Sequence, residues 1–417
     1  MSRAMCAGFG LRASGHGLGR SPSPWPVAHG PWLIALFFSL TSGHLQAQRS
    51  PFNKLKVLPA DSTGHYRILI GGHFHGESTN RSGYPAATLL ANLDTINTLG
   101  ANLFLSTGDL FMDPVNDMPR YQRSLFSKLK MPLFNAAGNH DYTNAEDGRS
   151  IVHVGEDILV GGGNVRTAWS QSLIDSLDRE EERIRGVPHF DGPYARLRSI
   201  LDEFVVLNTE ANGGSIDAKG VEILGLVGSG ISALAEQGEF QGDMRLFIIS
   251  HRPIWSEDDP QYSPLFKDNT RSLTGTNFQK DVYPLLEKIA EHAHVYWISG
   301  SLGGSAPSSI FFQEHAKNIT YIQCAIRDEP RDALLIADVY PDTVKWSSFS
   351  LTGQKLLAPE QYNAAWWHEH IGKSEGFNWR LLPYLVKTTV LRKEFWWGAL
   401  AGAVLLVIAR RLYRRSS

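Results

Sequence analysis

The sequence predicts an α/β layered domain set between two apolar ends, and three observations lead there. Short apolar runs alternate with amphipathic stretches through the middle of the chain, polar side chains recur just past those runs, and two longer apolar segments lie near the termini. Runs of buried-strand type separated by helical periodicity are the pattern of stacked α and β layers. A chain of 417 residues is long enough to bury one large core of this kind.

Taken in order, the apolar runs at residues 67–70, 102–106, 132–135, 204–207, 246–249 and 295–298 predict buried strands. Amphipathic stretches at 86–99, 121–129 and 282–292 predict helices between them. Later runs at 310–313, 320–323, 333–339 and 344–348 have no helices between them and suggest a meander closing a sheet. Residues 142–190 interrupt the rhythm with Gly161-Gly-Gly163 and a charged helical stretch at 167–185, an insertion or lid over the strand ends. From 351 to 394 the chain is rich in aromatics (Trp366, Trp367, Phe377, Trp379, Tyr384), as a juxtamembrane segment would be.

The ends predict export and anchoring. Residues 1–31 contain Arg3, Arg12 and Arg20 and no acidic residue; an apolar run at 32–40 and a small residue, Ala47, complete the pattern of a signal peptide over 1–47. The apolar run 395–409 extends to a transmembrane helix over 395–413, because the flanking Arg410, Arg411, Arg414 and Arg415 reach toward the interface. The arginines belong on the cytoplasmic side, leaving a short tail at 414–417 inside and the domain outside the cytoplasm. Only Cys324 lies beyond the signal segment, which excludes an intrachain disulfide and a cysteine metal site in the remainder. A formal net charge of −2 argues against a nucleic-acid partner.

Chemistry gathers where strands end. Residues past four of the runs read Gly71-Gly-His73-Phe-His75, Ser106-Thr-Gly108-Asp109, Gly138-Asn139-His140-Asp141 and Ser250-His251-Arg-Pro253. Ligand groups in open α/β sheets collect at the carboxyl ends of strands. Imidazole, carboxylate and amide donors suit one or two divalent transition metals (Mn, Fe or Zn) better than calcium. A carboxylate such as Asp109 can bridge two metals and help activate water for attack on phosphorus. His140 would stand beside the phosphoryl group and protonate or stabilise the leaving oxygen, with Asp141 orienting it.

Gly108-Asp109, Gly138-Asn-His-Asp141 and Ser250-His251-Arg-Pro253 resemble, in order and interval, motifs of the calcineurin-like metallophosphoesterases, the group that includes purple acid phosphatases. The resemblance covers about residues 65–350, where Phe204-Val-Val-Leu-Asn208 is similar to the family's central strand. It implies a two-sheet sandwich flanked by helices, with a dinuclear metal centre at the strand ends. It also implies that His75 matches the histidine of an Asp-x-His motif, Asp109 the bridging aspartate, Asn139 and His251 ligands of the second metal, and His140 the catalytic histidine.

Two departures stand out: His73 occupies the place of the motif's aspartate, and Gly300-Ser301-Leu302-Gly303 replaces the family's Gly-His-x-His. The metal set expected is therefore His73, His75, Asp109, Asn139 and His251, with one ligand missing per metal and room for one metal or none. His294, His315, His368 and His370 are candidates to fill the gap, and the sequence favours none of them. Three readings follow: a membrane-anchored phosphoesterase acting on a phosphate mono- or diester, in a small molecule or a lipid or envelope component; a binding or scaffolding domain of the same fold; or a hydrolase using a serine such as Ser229 or Ser301, neither of which lies in a Gly-x-Ser-x-Gly elbow.

Overall fold

A computed structural model describes residues 50–416 apart from 51, 57, 59–60, 78–79, 81, 137, 144–201, 208, 210–213, 217, 237–243, 267–274, 302–308, 372–378, 380–381 and 391–392. The expected signal segment, the glycine turn and charged helix of the insertion, and Gly303 lie outside the described residues.

Each run expected as a strand forms one. They are β1 (Tyr66–Gly71), β2 (Leu103–Ser106), β3 (Leu133–Asn135), β4 (Asp202–Val206), β5 (Met244–Ile249), β6 (Ala293–Ser299), β7 (Ser309–Ala316), β8 (Ile319–Ala325), β9 (Ala333–Val339) and β10 (Val344–Ser350). They assemble into two sheets, ordered β10-β9-β1-β2-β3 and β4-β5-β6-β8-β7. The neighbours β1, β2 and β3 run parallel, as do β4, β5, β6 and β8.

The late strands do not make a single meander. β7 pairs antiparallel with β8 in one sheet, and β9 and β10 pair antiparallel beside β1 in the other. Burial explains the split, since every residue of β8 and of β9 is buried and each strand needs neighbours on both edges. The run at 204–207, similar to a central strand, lies in β4 at the end of its sheet's described order.

Side-chain alternation along the strands builds the layers. Ile68 and Ile70, Leu103 and Leu105, and Leu335 and Ala337 meet Phe247, Ile249, Ile298 and Ile322 in a core between the sheets. Leu69, Phe104 and Leu334 point the other way, onto Leu89, Leu93, Met118 and Tyr121. Leu246, Ile248 and Val295 pack outward on Leu224, Ile231, Leu286 and Ile289. The result is the expected two-sheet sandwich flanked by helices. Each fully buried aliphatic or aromatic side chain contributes roughly 1.5–3 kcal/mol, which makes this layering the main source of stability.

The helices depart from the sequence expectation at their ends. The stretch 86–99 divides into α1 (Ala87–Ala91) and α2 (Leu93–Ile96). The break is at Asn92, whose amide donates to the carbonyls of Thr88 and Leu351 at 2.7 and 2.6 Å and so competes with helix continuation. The stretch expected from 121 begins instead at Pro114 in α3 (Pro114–Ser124), where the Asp113 carboxylate accepts from Asn116 N and proline occupies the first turn. A nineteen-residue helix, α4 (Ala218–Glu236), was not expected because it carries Gly220, Gly225, Gly228 and Gly230. Gly228 is needed there: a Cβ would lie 2.9 Å from Ile289 Cγ1 of α5 (Tyr283–Ala290).

The C-terminal segment begins by packing on the sandwich. In α6 (Ala364–His370), Trp367 is buried and its indole donates to Ile310 O at 3.1 Å. The Arg331 guanidinium lies over Trp366 and Trp367, 5.1 and 4.7 Å from the ring centroids. The helix α7 (Leu382–Val390) contacts α1 and leads to α8 (Lys393–Ser416). Within α8, the 20 residues Phe395–Arg414 are long and apolar enough to cross a membrane, and none of that stretch is buried.

Candidate metal centre

Four loops leave the parallel strands at the same edge and bring the sequence-predicted side chains together. His73 and His75 follow β1, Asp109 follows β2, His140 and Asp141 follow β3, and His251 follows β5. His73, His75, Asp109, Asp141 and His251 are each no more than 3% exposed, His140 is half-buried, and Asn139 is exposed.

Asp109 is the hub. Its Oδ2 lies 3.3 Å from His73 Nε2, 3.4 Å from His251 Nε2 and 3.6 Å from His75 Nε2. Its Oδ1 accepts from the backbone N–H of His140 at 2.9 Å, which fixes the carboxylate's orientation. Its own N–H donates to Asp141 Oδ2 at 3.0 Å. Asp141 also accepts from Gly138 N, Asn135 Nδ2 and Phe111 N, at 3.0, 3.0 and 3.2 Å. Asp141 therefore ties the β2 and β3 loops together. Burial, and then the Asp109 charge, push its carboxyl up to about 6. Asn135 and the Thr107 carbonyl are members of this support that the sequence did not single out; their sign was position, two to six residues from Asp109 and Asp141.

The backbone is shaped for this convergence. His73 and Asp109 have φ of 53° and 56°, a left-handed conformation that costs a β-carbon residue on the order of 1–3 kcal/mol. Gly108, at φ 104°, passes so close to the His251 ring that a Cβ would collide with Nδ1. A Cβ on Gly138 would collide with the Asp109 carboxylate and stand 2.7 Å from His251 Cε1. The rings of His73 and His75 lie 4.9 Å apart, and both Nε2 atoms face Asp109 Oδ2.

Charge and tautomer test whether these residues suit a metal. His251 Nδ1 lies 2.8 Å from Thr107 O, which can only accept, so Nδ1 carries a proton and Nε2 is the ring nitrogen that faces Asp109. Burial holds the His73 ring well below the ordinary histidine pKa, although Asp109 pulls the other way. Burial pushes the Asp109 carboxyl up, but His251, His75 and His73 outweigh it and leave the group well below the usual carboxylate range. A buried carboxylate and three buried imidazole Nε2 atoms thus converge on one point, an arrangement of donor atoms that a cation between them would satisfy. Two donors on one tetrahedral metal stand about 3.4 Å apart, given bonds of about 2.0–2.1 Å. The 3.3 and 3.4 Å spacings match. The residues fit a divalent metal.

The donors divide into two groups sharing Asp109: His73, Asp109 and His251, and His75, Asp109 and His140, with the donor atoms of each within 4.8 Å of one another. The other histidines considered are engaged elsewhere. His315 Nδ1 meets Tyr262 Oη at 2.8 Å, His368 Nε2 meets Gln261 O at 3.0 Å, His370 stacks on Trp366, and His294 lies beside Tyr296 on β6. Ser301 is buried and its backbone N–H donates to His251 O at 2.7 Å. Ser229 is exposed in mid-helix and donates to Gly225 O, far from the geometry of a nucleophile elbow.

No family model and no curated protein matches the sequence. Among solved structures, the chain is similar to a dimetal phosphatase from Danio rerio, at 13% identity and a TM-score of 0.35, over 70% of this chain and 98% of that one. It is also similar to purple acid phosphatase PPD1 from yellow lupin (Lupinus luteus) seeds, at 10% identity and a TM-score of 0.39. That match covers 72% of this chain and 54% of the lupin chain, so this chain spans about half the length of the lupin protein.

Proposed function

We propose that this chain is a divergent calcineurin-like metallophosphoesterase that hydrolyses a phosphate mono- or diester at the Asp109 centre. The observation that carries the proposal is the buried Asp109 Oδ2 facing the Nε2 atoms of His73 and His251 at 3.3 and 3.4 Å, the spacing of donors on one metal. Mn, Fe or Zn suits these donors, and such an ion supplies a Lewis acid for the phosphoryl oxygen and a water acidified toward neutral pH.

The protein's own part is placement. The His140 N–H holds the Asp109 carboxylate, Asp141 holds the Asp109 backbone N–H, and Thr107 O fixes the His251 ring. His140 is the cluster's half-exposed member, so an entering phosphoryl group meets it first. Asp141 contributes by holding Asp109 in place, because its carboxylate already accepts four N–H groups.

In the same reading α8 anchors the domain at a membrane, with Arg410, Arg411, Arg414 and Arg415 on the cytoplasmic side and the metal centre outside. The length and full exposure of Phe395–Arg414 support the anchor. A tethered centre favours lipid or envelope phosphoesters by proximity.

Elemental analysis and hydrolysis of an aryl phosphate and a bis-aryl phosphate, with and without added Mn, test the proposal on the full chain in detergent. Bound transition metal with turnover of either ester is expected. Metal without turnover would leave a binding domain of the same fold, and absence of both would sink the reading altogether.

A further inference from the structure

The geometry points to His140 as a metal ligand in this chain, closing a second, more open metal seat with His75 and Asp109 in place of the imidazoles that Ser301 and Gly303 do not supply. The inference rests on the metallophosphoesterase reading and specifies how this chain's residues divide around Asp109.

His75 is the first reason. The residue is fully buried, and neither of its ring nitrogens has a hydrogen-bond partner. Its Nε2 is 3.6 Å from Asp109 Oδ2, beyond a hydrogen bond. Leaving a buried polar nitrogen unsatisfied costs about 1–3 kcal/mol, a cost that metal ligation removes. His140 is the second reason. Its ring centroid is 5.0 Å from that of His75, at 71°, and donor atoms from His75, Asp109 and His140 lie within 4.8 Å of one another. The His140 backbone is pinned by its 2.9 Å hydrogen bond to Asp109 Oδ1, so the ring starts from a fixed point. Asn139, the ligand the resemblance implies, is exposed on the neighbouring position.

The two seats are unequal. The seat of His73, Asp109 and His251 is buried throughout and has its His251 tautomer set by Thr107 O. The seat of His75, Asp109 and His140 has a half-exposed member. The first retains its ion and the second exchanges. His140 therefore serves turnover as a ligand, and its loss removes one metal and leaves the other.

Titration of metal-stripped full-length protein with Co²⁺, read by elemental analysis and by the cobalt d–d absorption, tests this. Two equivalents are expected in the wild type and in Asn139→Ala, the second binding at least ten-fold more weakly. One tight equivalent is expected in His140→Ala and in His75→Ala; that equivalent also reports that each variant is folded. Two equivalents in His140→Ala, or one in Asn139→Ala, would overturn the assignment while leaving the metal centre itself intact. No cobalt in the wild type would defeat the metallophosphoesterase reading along with it.

Discussion

At the scale of single residues, the centre depends on backbone positions that few side chains could occupy. Gly108 combines a φ of 104° with a Cβ direction that runs into His251 Nδ1 and, at 2.6 Å, Ala136 O. Gly108→Ala is expected to cost on the order of 2–3 kcal/mol, from steric displacement and left-handed strain together. Thermal denaturation of the stripped protein should show a midpoint lower by several degrees, and metal loading should weaken as His251 is pushed away. An unchanged midpoint would mean that the β2 loop is less tightly packed than its contacts indicate. Asp109, His73, His75 and His251 were legible because histidine and aspartate recur just after apolar runs. The φ of 53° at His73, part of the backbone that brings these groups together, was not legible, because no pattern of residue types announces it.

At the scale of elements, β1 and β9 are joined by a charged clasp outside the core. Arg67 donates to both oxygens of Asp338 at 2.8 and 2.9 Å, and His65 Nε2 lies 2.8 Å from the same carboxylate. Burial raises the Asp338 carboxyl, and the Arg67 and His65 contacts outweigh it, so its pKa is lowered in the fold. A lowered carboxyl stabilises the fold above its unfolded pKa of about 3.9, and that contribution fades as pH falls through the folded value. Asp338→Asn should therefore cost about 1–2 kcal/mol at neutral pH and progressively less below about pH 4. Urea denaturation across that range checks it; a cost independent of pH would assign the loss to packing. Strand positions were legible throughout because buried runs are short and apolar. Helix limits were less so: the Asp113 cap moved α3 toward the N-terminus, the Asn92 amide divided α1 from α2, and α4 forms despite four glycines because Gly228 lets it approach Ile289. The division of the late strands between two sheets follows from long-range burial that local periodicity does not carry.

At the scale of the whole molecule, the two-sheet sandwich sets its strand ends around one carboxylate, and a helix fit for a bilayer follows at the C-terminus. Deleting 395–417 should release the remaining protein from the membrane fraction with its metal content unchanged; continued pelleting with membranes would contradict anchoring by α8. The account as a whole depends on Asp109 as the shared ligand. Metal content by elemental analysis, compared between the wild-type full chain and Asp109→Asn at matched folding by circular dichroism, tests it most directly. At least one equivalent of transition metal per wild-type chain and essentially none in Asp109→Asn is the result expected. Equal metal in both, or none in either, would contradict it.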